Sequence, residues 1–462
     1  MIAMRRLMLA TVMVTTVVLA TASGVMAASP GLGVVAVQPV VRQTVPTPPG
    51  EGNQSGVTLQ AAVAADPGNP RVAVAATAEG RAVEQGGSAA LGYAWTRTGG
   101  VHWRSGVLKG ATTATGGRWD ATNWPSVAFG PHGRAYLAGE VRSGCASGIV
   151  LASSGHGGGG FGEARLVQHL DSCEQLIGKV WVAVDTGRHS PYRGRVWLAW
   201  TLFHFAPDGT GTGQQQMVAS SDDRGRTWTA PRPATSPTSF TNGTEMAIQP
   251  DGAVTLSFIS FTETTVAVAT TTSRDGGRSF GPVVTIRDLV TGGPPDIRCC
   301  FPSITADPKT GHLYVAFNDA FGDAVDAALV VRSSDGRTWS PPVVANRDHR
   351  PSYQHYTASV GAYGGKVVVS WTARATLPMP SPVVQQQVAV SRDAGHAFGA
   401  PLSLGPRGDI TAAPLTGIGY FTADYVQTAV TAHLAYTAWV LPRRPDTATQ
   451  LNQTLWAATL RL

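Results

Sequence analysis
SSDDRGRTWTAP, residues Ser220–Pro231, crowds two aspartates, two arginines, threonines and a tryptophan into one short stretch. Such a set suits either half of an active site or a decorated turn. Related stretches follow at Ser273–Phe280 (SRDGGRSF), Ser333–Trp339 (SSDGRTW, one residue shorter) and Ser391–Phe398 (SRDAGHAF). Two degenerate copies precede it, TRTGGVHW at Thr96–Trp103 and SGHGGGGF at Ser154–Phe161. The closing aromatics stand at positions 103, 161, 228, 280, 339 and 398, a beat of 52 to 67 residues. Self-similarity at that period marks a repeat architecture.

A second element keeps the same beat. Apolar strand, turn and apolar strand recur, as in PSVAFGPHGRAYLAG (Pro125–Gly139), EMAIQPDGAVTLSF (Glu245–Phe258) and PSITADPKTGHLYVAF (Pro302–Phe317), making seven hairpins in all. A third strand follows each hairpin, and after six of these third strands comes the Ser-x-Asp-x-Gly-x-x-aromatic stretch, then a proline-containing fourth strand. Four short antiparallel strands repeated around an axis predict a β-propeller, which leaves few exposed sheet edges. The fold expected is all-β, a single propeller of four-stranded blades, seven in number, with six as the alternative. The seventh unit ends without a fourth strand, and Gly33–Val41 is placed to supply it as a latch; Pro39 suits an outermost edge. The quoted stretch is then a turn between third and fourth strands. Asp223, Asp275, Asp335 and Asp393 accept backbone N–H bonds there, while glycine takes the special backbone angles. In the same register, SGHGGGGF reads as a worn turn, not a phosphate loop, and no GxSxG accompanies it.

The first residues set the compartment. Arg5 and Arg6 precede an apolar run from Leu7 to Ala22 and a small-residue stretch ending at Ala28, the order of a secretory signal peptide. The run is too short to favour a membrane span, which takes about 20 residues. The domains expected are a signal peptide at 1–28, an N-terminal latch segment at 29–56 and the propeller at 57–462, exported and monomeric. Gly (54) and Pro (31) are abundant and only 14% of residues are charged, as fits a turn-rich all-β chain. The formal charge is +6, two of it in the signal peptide. Only Lys109, Lys179, Lys309 and Lys366 are lysines, and there is no basic run to suggest nucleic acid. The four cysteines point to disulfides in an exported protein: Cys145–Cys173 as one loop, and Cys299-Cys300 as a vicinal bridge, a free pair or partners of other residues.

The repeated turns resemble the Asp boxes, or BNR repeats, of the sialidase (neuraminidase) superfamily over nearly the whole mature chain. VWVAVDTGRHSPYRGRVWLAWT and ADYVQTAV are also similar to secreted sialidase-like propellers. Strand alternation places the mostly short 1→2 and 3→4 turns on one face and the longer 2→3 and 4→1 loops on the other. The long-loop face is the expected site. The resemblance implies three arginines for a sugar carboxylate, because planar guanidinium forks bind carboxylates bidentately; Arg298, Arg350 and Arg374 are the candidates, with Asp424 beside them as a substrate-binding residue. It also implies a tyrosine nucleophile assisted by a glutamate and an aspartic acid, here Tyr425, Glu245 and Asp120. Two departures stand out. Asn123 occupies the place two before Pro125 where the family's early arginine belongs, and seven repeats replace six.

The expected function is recognition of glycans at the channel mouth, with exo-glycosidase activity of the sialidase type as its catalytic form. The alternative is a non-catalytic extracellular module for polysaccharide, cell wall or protein. No cofactor is expected. Asn318, Asp319, Asp323 and Asp326 could present oxygens to calcium, but their spacing matches no defined calcium loop and a solvated acidic loop is the plainer reading.

Overall fold
The computed structural model describes residues 32–290, 294–321, 324–347, 352–376, 379–444 and 451–462. The expected signal peptide, Arg350 and Asp323 lie outside the described residues. Almost every regular element is a strand.

Within each meander strand pairing follows chain order, and outside the meanders Ile297–Arg298 pairs in parallel with Gly419–Phe421. The first meander joins Gln54–Asp66, Asn69–Ala82, Gly87–Thr96 and Arg104–Val107; it opens three residues before the expected boundary at Val57. The second joins Ala121–Phe129, Ala135–Ser143, Ala146–Ser154 and Arg165–Asp171. The third joins Gln175–Val184, Val196–Phe205, Gly211–Ser221 and Arg232–Pro233, and the fourth Phe240–Ile248, Val254–Phe261, Val266–Ser273 and Val284–Asp288. The fifth joins Ser303–Ala306, Leu313–Phe321, Ala324–Ser333 and Val343–Val344, and the sixth Tyr353–Tyr363, Lys366–Ala375, Val383–Ser391 and Leu402–Asp409. The last sheet takes Gln427–Val430, Leu434–Arg443 and Asn452–Arg461 from the C-terminal end and Gly33–Val41 from the N-terminal end. In it Gly33 faces Arg461, and Pro39 lies opposite Trp456 on the outermost strand, where proline's missing N–H costs no ladder bond.

The inner strands neighbour one another in order and the last neighbours the first. One hydrogen bond recurs between them. Val63 N donates to Gln427 Oε1 (2.7 Å), Val182 N to Ser126 Oγ (3.0 Å), Ile304 N to Glu245 Oε2 (3.0 Å) and Val360 N to Ser303 Oγ (3.3 Å). Each acceptor lies opposite a small residue of its second strand: Ala438, Ala138, Ser257 and Ala316. The core sits between facing sheets. Tyr136, Ile149 and Leu151 of the second meander, for example, pack on Ile177, Val182 and Leu198 of the third.

The Asp boxes are turns between third and fourth strands. Asp223 Oδ1 accepts from Arg226 N and Thr227 N (2.9 Å each), and Oδ2 from Thr227 Oγ1 (2.7 Å). Asp275 repeats this with Arg278 N, Ser279 N and Ser279 Oγ; Asp335 binds Arg337 N and Thr338 N, and Asp393 binds Ala397 N. Hydrogen bonds to the charged form hold Asp275 and Asp335 down at about 2. Cys145 is disulfide-bonded to Cys173, and Cys299 to Cys300.

Candidate functional site
Five inner strands carry a β-bulge at one height: Leu59/Ala62, Asn123/Ser126, Gly178/Trp181, Asn242/Glu245 and Tyr356/Ser359. Inside each bulge a residue takes a left-handed conformation: Gln60 (φ 62°), Trp124 (44°), Lys179 (56°), Gly243 (78°) and Thr357 (54°). Four of the five are not glycine, although that region penalises a β-carbon. Bulges re-aim side chains, and here three of these residues meet one carboxylate at the channel mouth.

That carboxylate is Asp424, which is 2% exposed. Its Oδ2 accepts from Gln60 Nε2 (3.1 Å), Trp124 Nε1 (3.1 Å), Arg298 Nη2 (3.2 Å) and Lys179 Nζ, and its Oδ1 from Arg298 Nε (3.1 Å). Lys179 Nζ also lies 4.7 Å from the Trp124 and Phe301 rings, and the Arg298 guanidinium 4.0 Å from the Phe421 ring. Burial alone would raise the Asp424 carboxyl, but Lys179 and Arg298 hold it far below the usual carboxylate range. Burial draws Lys179 down to about 8 against the pull of Asp424, so it stays charged at neutral pH.

Next along the chain, Tyr425 is 4% exposed and packs edge-on against Trp181, 5.9 Å between centroids. Its hydroxyl has no hydrogen-bond partner, and neither has Glu245 Oε1. The two groups sense each other electrostatically, yet no hydrogen bond joins them. Burial pushes Glu245 up to about 8, against the Ile304 amide and the Ser303 hydroxyl, and burial with the nearby Asp424 and Glu245 charges raises the Tyr425 phenol well above its ordinary value.

The remaining expected residues lie apart. Arg374, 2% exposed, forks onto Asp296 and donates through Nε to Gln354 Oε1 (2.9 Å). Arg298 and Arg374 therefore serve different carboxylates. Asp120 is exposed and borders a separate depression with Thr113 and Arg142. Asn123 donates to Glu140 Oε2 (3.0 Å), whose other oxygen binds Arg142. Asp319 takes Arg287 Nε (2.6 Å) and Val290 N (2.8 Å), and among the described residues no cluster of three or more His, Cys, Asp or Glu could hold a metal ion. A cavity of about 300 Å³ follows the axis from Glu245 and Trp181 out to Pro67, Pro308 and Thr431 on the short-turn face, away from the expected site.

Sequence reasoning missed Gln60, Trp124, Lys179 and Phe301. Gln60 and Trp124 lie in the hairpin openings TLQAAVA and TNWPSVA. The shared register was their only signal, because the residue types differ from copy to copy.

Antiparallel meanders ranged about an axis, turned by Ser–Asp–Gly–aromatic boxes, define an Asp-box propeller of the sialidase-like class. The chain belongs to the BNR repeat-like domain family, whose model matches residues 148–408, more than half of it. Among solved structures it resembles the intramolecular trans-sialidase of Ruminococcus gnavus (10% identity, 70% of this chain and 91% of that one, TM-score 0.48). It also resembles the phage phi92 endosialidase (10%, 92% and 69%, TM-score 0.49) and the α-L-arabinanase of Penicillium chrysogenum (11%, 92% and 98%, TM-score 0.48). At these identities no residue's role carries over. No curated protein matches the chain in sequence. Among the described residues no helix is long and apolar enough to cross a membrane.

Proposed function
We propose that this protein is an exported, seven-bladed, sialidase-like propeller that binds glycans on its long-loop face and does not hydrolyse sialosides. The blade count rests on the seven described meanders, and export on the Arg5–Ala28 pattern. The observation that carries the non-hydrolytic reading is Asp424. A sialoside carboxylate needs cationic groups to pair with, and Arg298 and Lys179 are already paired with the chain's own carboxylate. Glu245 supports the same reading. Raised to about 8, it is mostly protonated at neutral pH, and no hydrogen bond joins it to Tyr425, so it is poorly placed to take the Tyr425 proton. Glycan as the ligand class is supported by the family of the repeated turns.

A second reading, a protein partner, is favoured by the exposed Val290, Leu415 and Ile418 on the same face. Purified residues 29–462 should leave a fluorogenic sialoside at its buffer rate and bind members of a glycan array. Hydrolysis abolished by Tyr425→Phe would overturn the proposal. A blank array with capture of a protein ligand would favour the second reading.

A further inference from the structure
On the short-turn face a groove separates the second and third meanders. Its first depression, about 390 Å³, is bordered by Arg134, Arg193 and Arg224; the next, about 600 Å³, by Arg134, Arg165, Arg224 and Arg226. A third, about 430 Å³, continues past Arg165 and Arg226 to Trp228. Shared residues make the three one continuous channel with five arginines along it. Tyr136 lines the first depression together with Arg134 and Arg224.

These charges are not neutralised within the protein. Among the described residues none of the five arginines forms an ion pair. Arg134 reaches only Ser153 Oγ (3.4 Å), and Arg226 Nε only the Asp223 carbonyl (3.0 Å). Of the acids alongside, Asp222 is taken bidentately by Arg195 (2.7 and 2.8 Å) and Asp223 by its own turn. That leaves the exposed Glu163. Neighbouring arginines differ: Arg195 is paired with Asp222, and Arg274 stands 3.8 Å from Asp251.

Arg224 sits at φ 66° inside the Asp box, where the following box has Gly276 (φ 73°) and the last has Ala394 (φ 58°). Glycine takes that conformation without penalty, and Ala394 shows that this turn also accepts a side chain there, so the turn leaves the residue type open and Arg224 adds its charge to the groove without being required by the fold.

We infer that this groove binds a linear anionic polysaccharide, its carboxylate or sulfate groups held by the guanidinium forks of Arg134, Arg165, Arg193, Arg224 and Arg226. Guanidinium suits both anions bidentately, and an elongated channel suits a polymer better than a free ion. Nucleic acid fits less well, since base stacking wants exposed aromatic platforms, and here Tyr136 is buried and Trp228 half-buried. The groove faces away from the long loops, so binding here is separable from the glycan reading above.

The test measures binding of the mature protein to heparin, polygalacturonate, neutral dextran and duplex DNA across a salt series. Heparin or polygalacturonate should bind, with affinity falling steeply as salt rises, and dextran should not. Arg224→Gly should keep the fold, since Gly276 serves the same turn, and weaken binding about tenfold; Arg193→Gln should act alike. Arg278→Gln, outside the groove, should change nothing. Equal binding of dextran, preference for DNA, or unchanged affinity in well-folded Arg224→Gly and Arg193→Gln would overturn the inference.

Discussion

Asp424 and Glu245 are both carboxylates buried at the axis, yet the side chain of Asp424 receives five hydrogen bonds and that of Glu245 receives one. The five come from four side chains, two of them cationic, and the Asp424 carboxyl is held ionised. Glu245 meets the Ile304 amide and the Ser303 hydroxyl but no cation, and desolvation keeps it protonated to about pH 8. Burial is common to both, so the difference lies in what the bulged strands deliver. The first three inner strands point Gln60, Trp124 and Lys179 at one spot. The fourth supplies Gly243 at that height, and Glu245 two residues on joins the recurring inter-strand bond. Of these two axial carboxylates, one is thus the centre of a cationic cluster and the other a substitute for serine in the ring.

The largest effect should follow from breaking the first of these. Asp424→Ala leaves the Lys179 ammonium and the Arg298 guanidinium without a counter-charge, and removing one partner of a buried ion pair costs about 3–5 kcal/mol. Denaturant unfolding should show that loss in the midpoint. A midpoint near wild type would mean that water already shares the cluster.

A smaller, pH-dependent effect should separate the two carboxylates. Glu245 has its folded value raised from 4.5 to about 8, so the unfolded chain releases that proton first. Its stabilising contribution is complete below about pH 4.5 and is lost as the pH rises toward 8, at a limit of about 1.4 kcal/mol per unit for one group. Asp424 runs the other way: its value is lowered from 3.8, and its contribution is lost as the pH falls below that. Glu245→Gln keeps an acceptor for Ile304 N and removes the proton, so it should flatten the stability curve between pH 4.5 and 8 and leave the acid limb intact. A slope unchanged in the variant would assign the titration to another group.

How far this was legible depends on the range over which each feature is written. The Asp boxes are local. Asp223 binds amides three and four residues on, so a short pattern holds the whole turn, and its beat yields the meanders. The latch at Gly33–Val41 is distant but forced, because a ring of four-stranded units lacking one strand at its end takes it from the other end. The Asp424 cluster is neither. Gln60 and Asp424 are 364 positions apart, and Gln60, Trp124 and Lys179 share no residue type. Tyr425 and Glu245 follow from the family's chemistry, and the structure brings them within electrostatic range. Nothing in the sequence showed that Lys179 and Arg298 would be spent on Asp424.

The smallest effect tests whether Glu245 owes its place to the ring. Ser126 occupies the equivalent position two strands earlier, with its Oγ taking Val182 N at 3.0 Å, both residues buried. Ser126→Ala leaves that amide without a partner, and an orphaned buried donor costs about 1–3 kcal/mol. The alanine fits, because Ala62 stands at the corresponding position in the first meander, so the lower end, about 1 kcal/mol, is expected. Serine does not titrate between pH 5 and pH 8, so the loss should be the same at both. Unfolding Ser126→Ala and Glu245→Gln side by side at both pH values isolates the ring bond from the titration. A Ser126→Ala penalty that changed with pH would mean that the inner-strand bonds are coupled to Glu245, and the two carboxylates could then no longer be treated as separate devices.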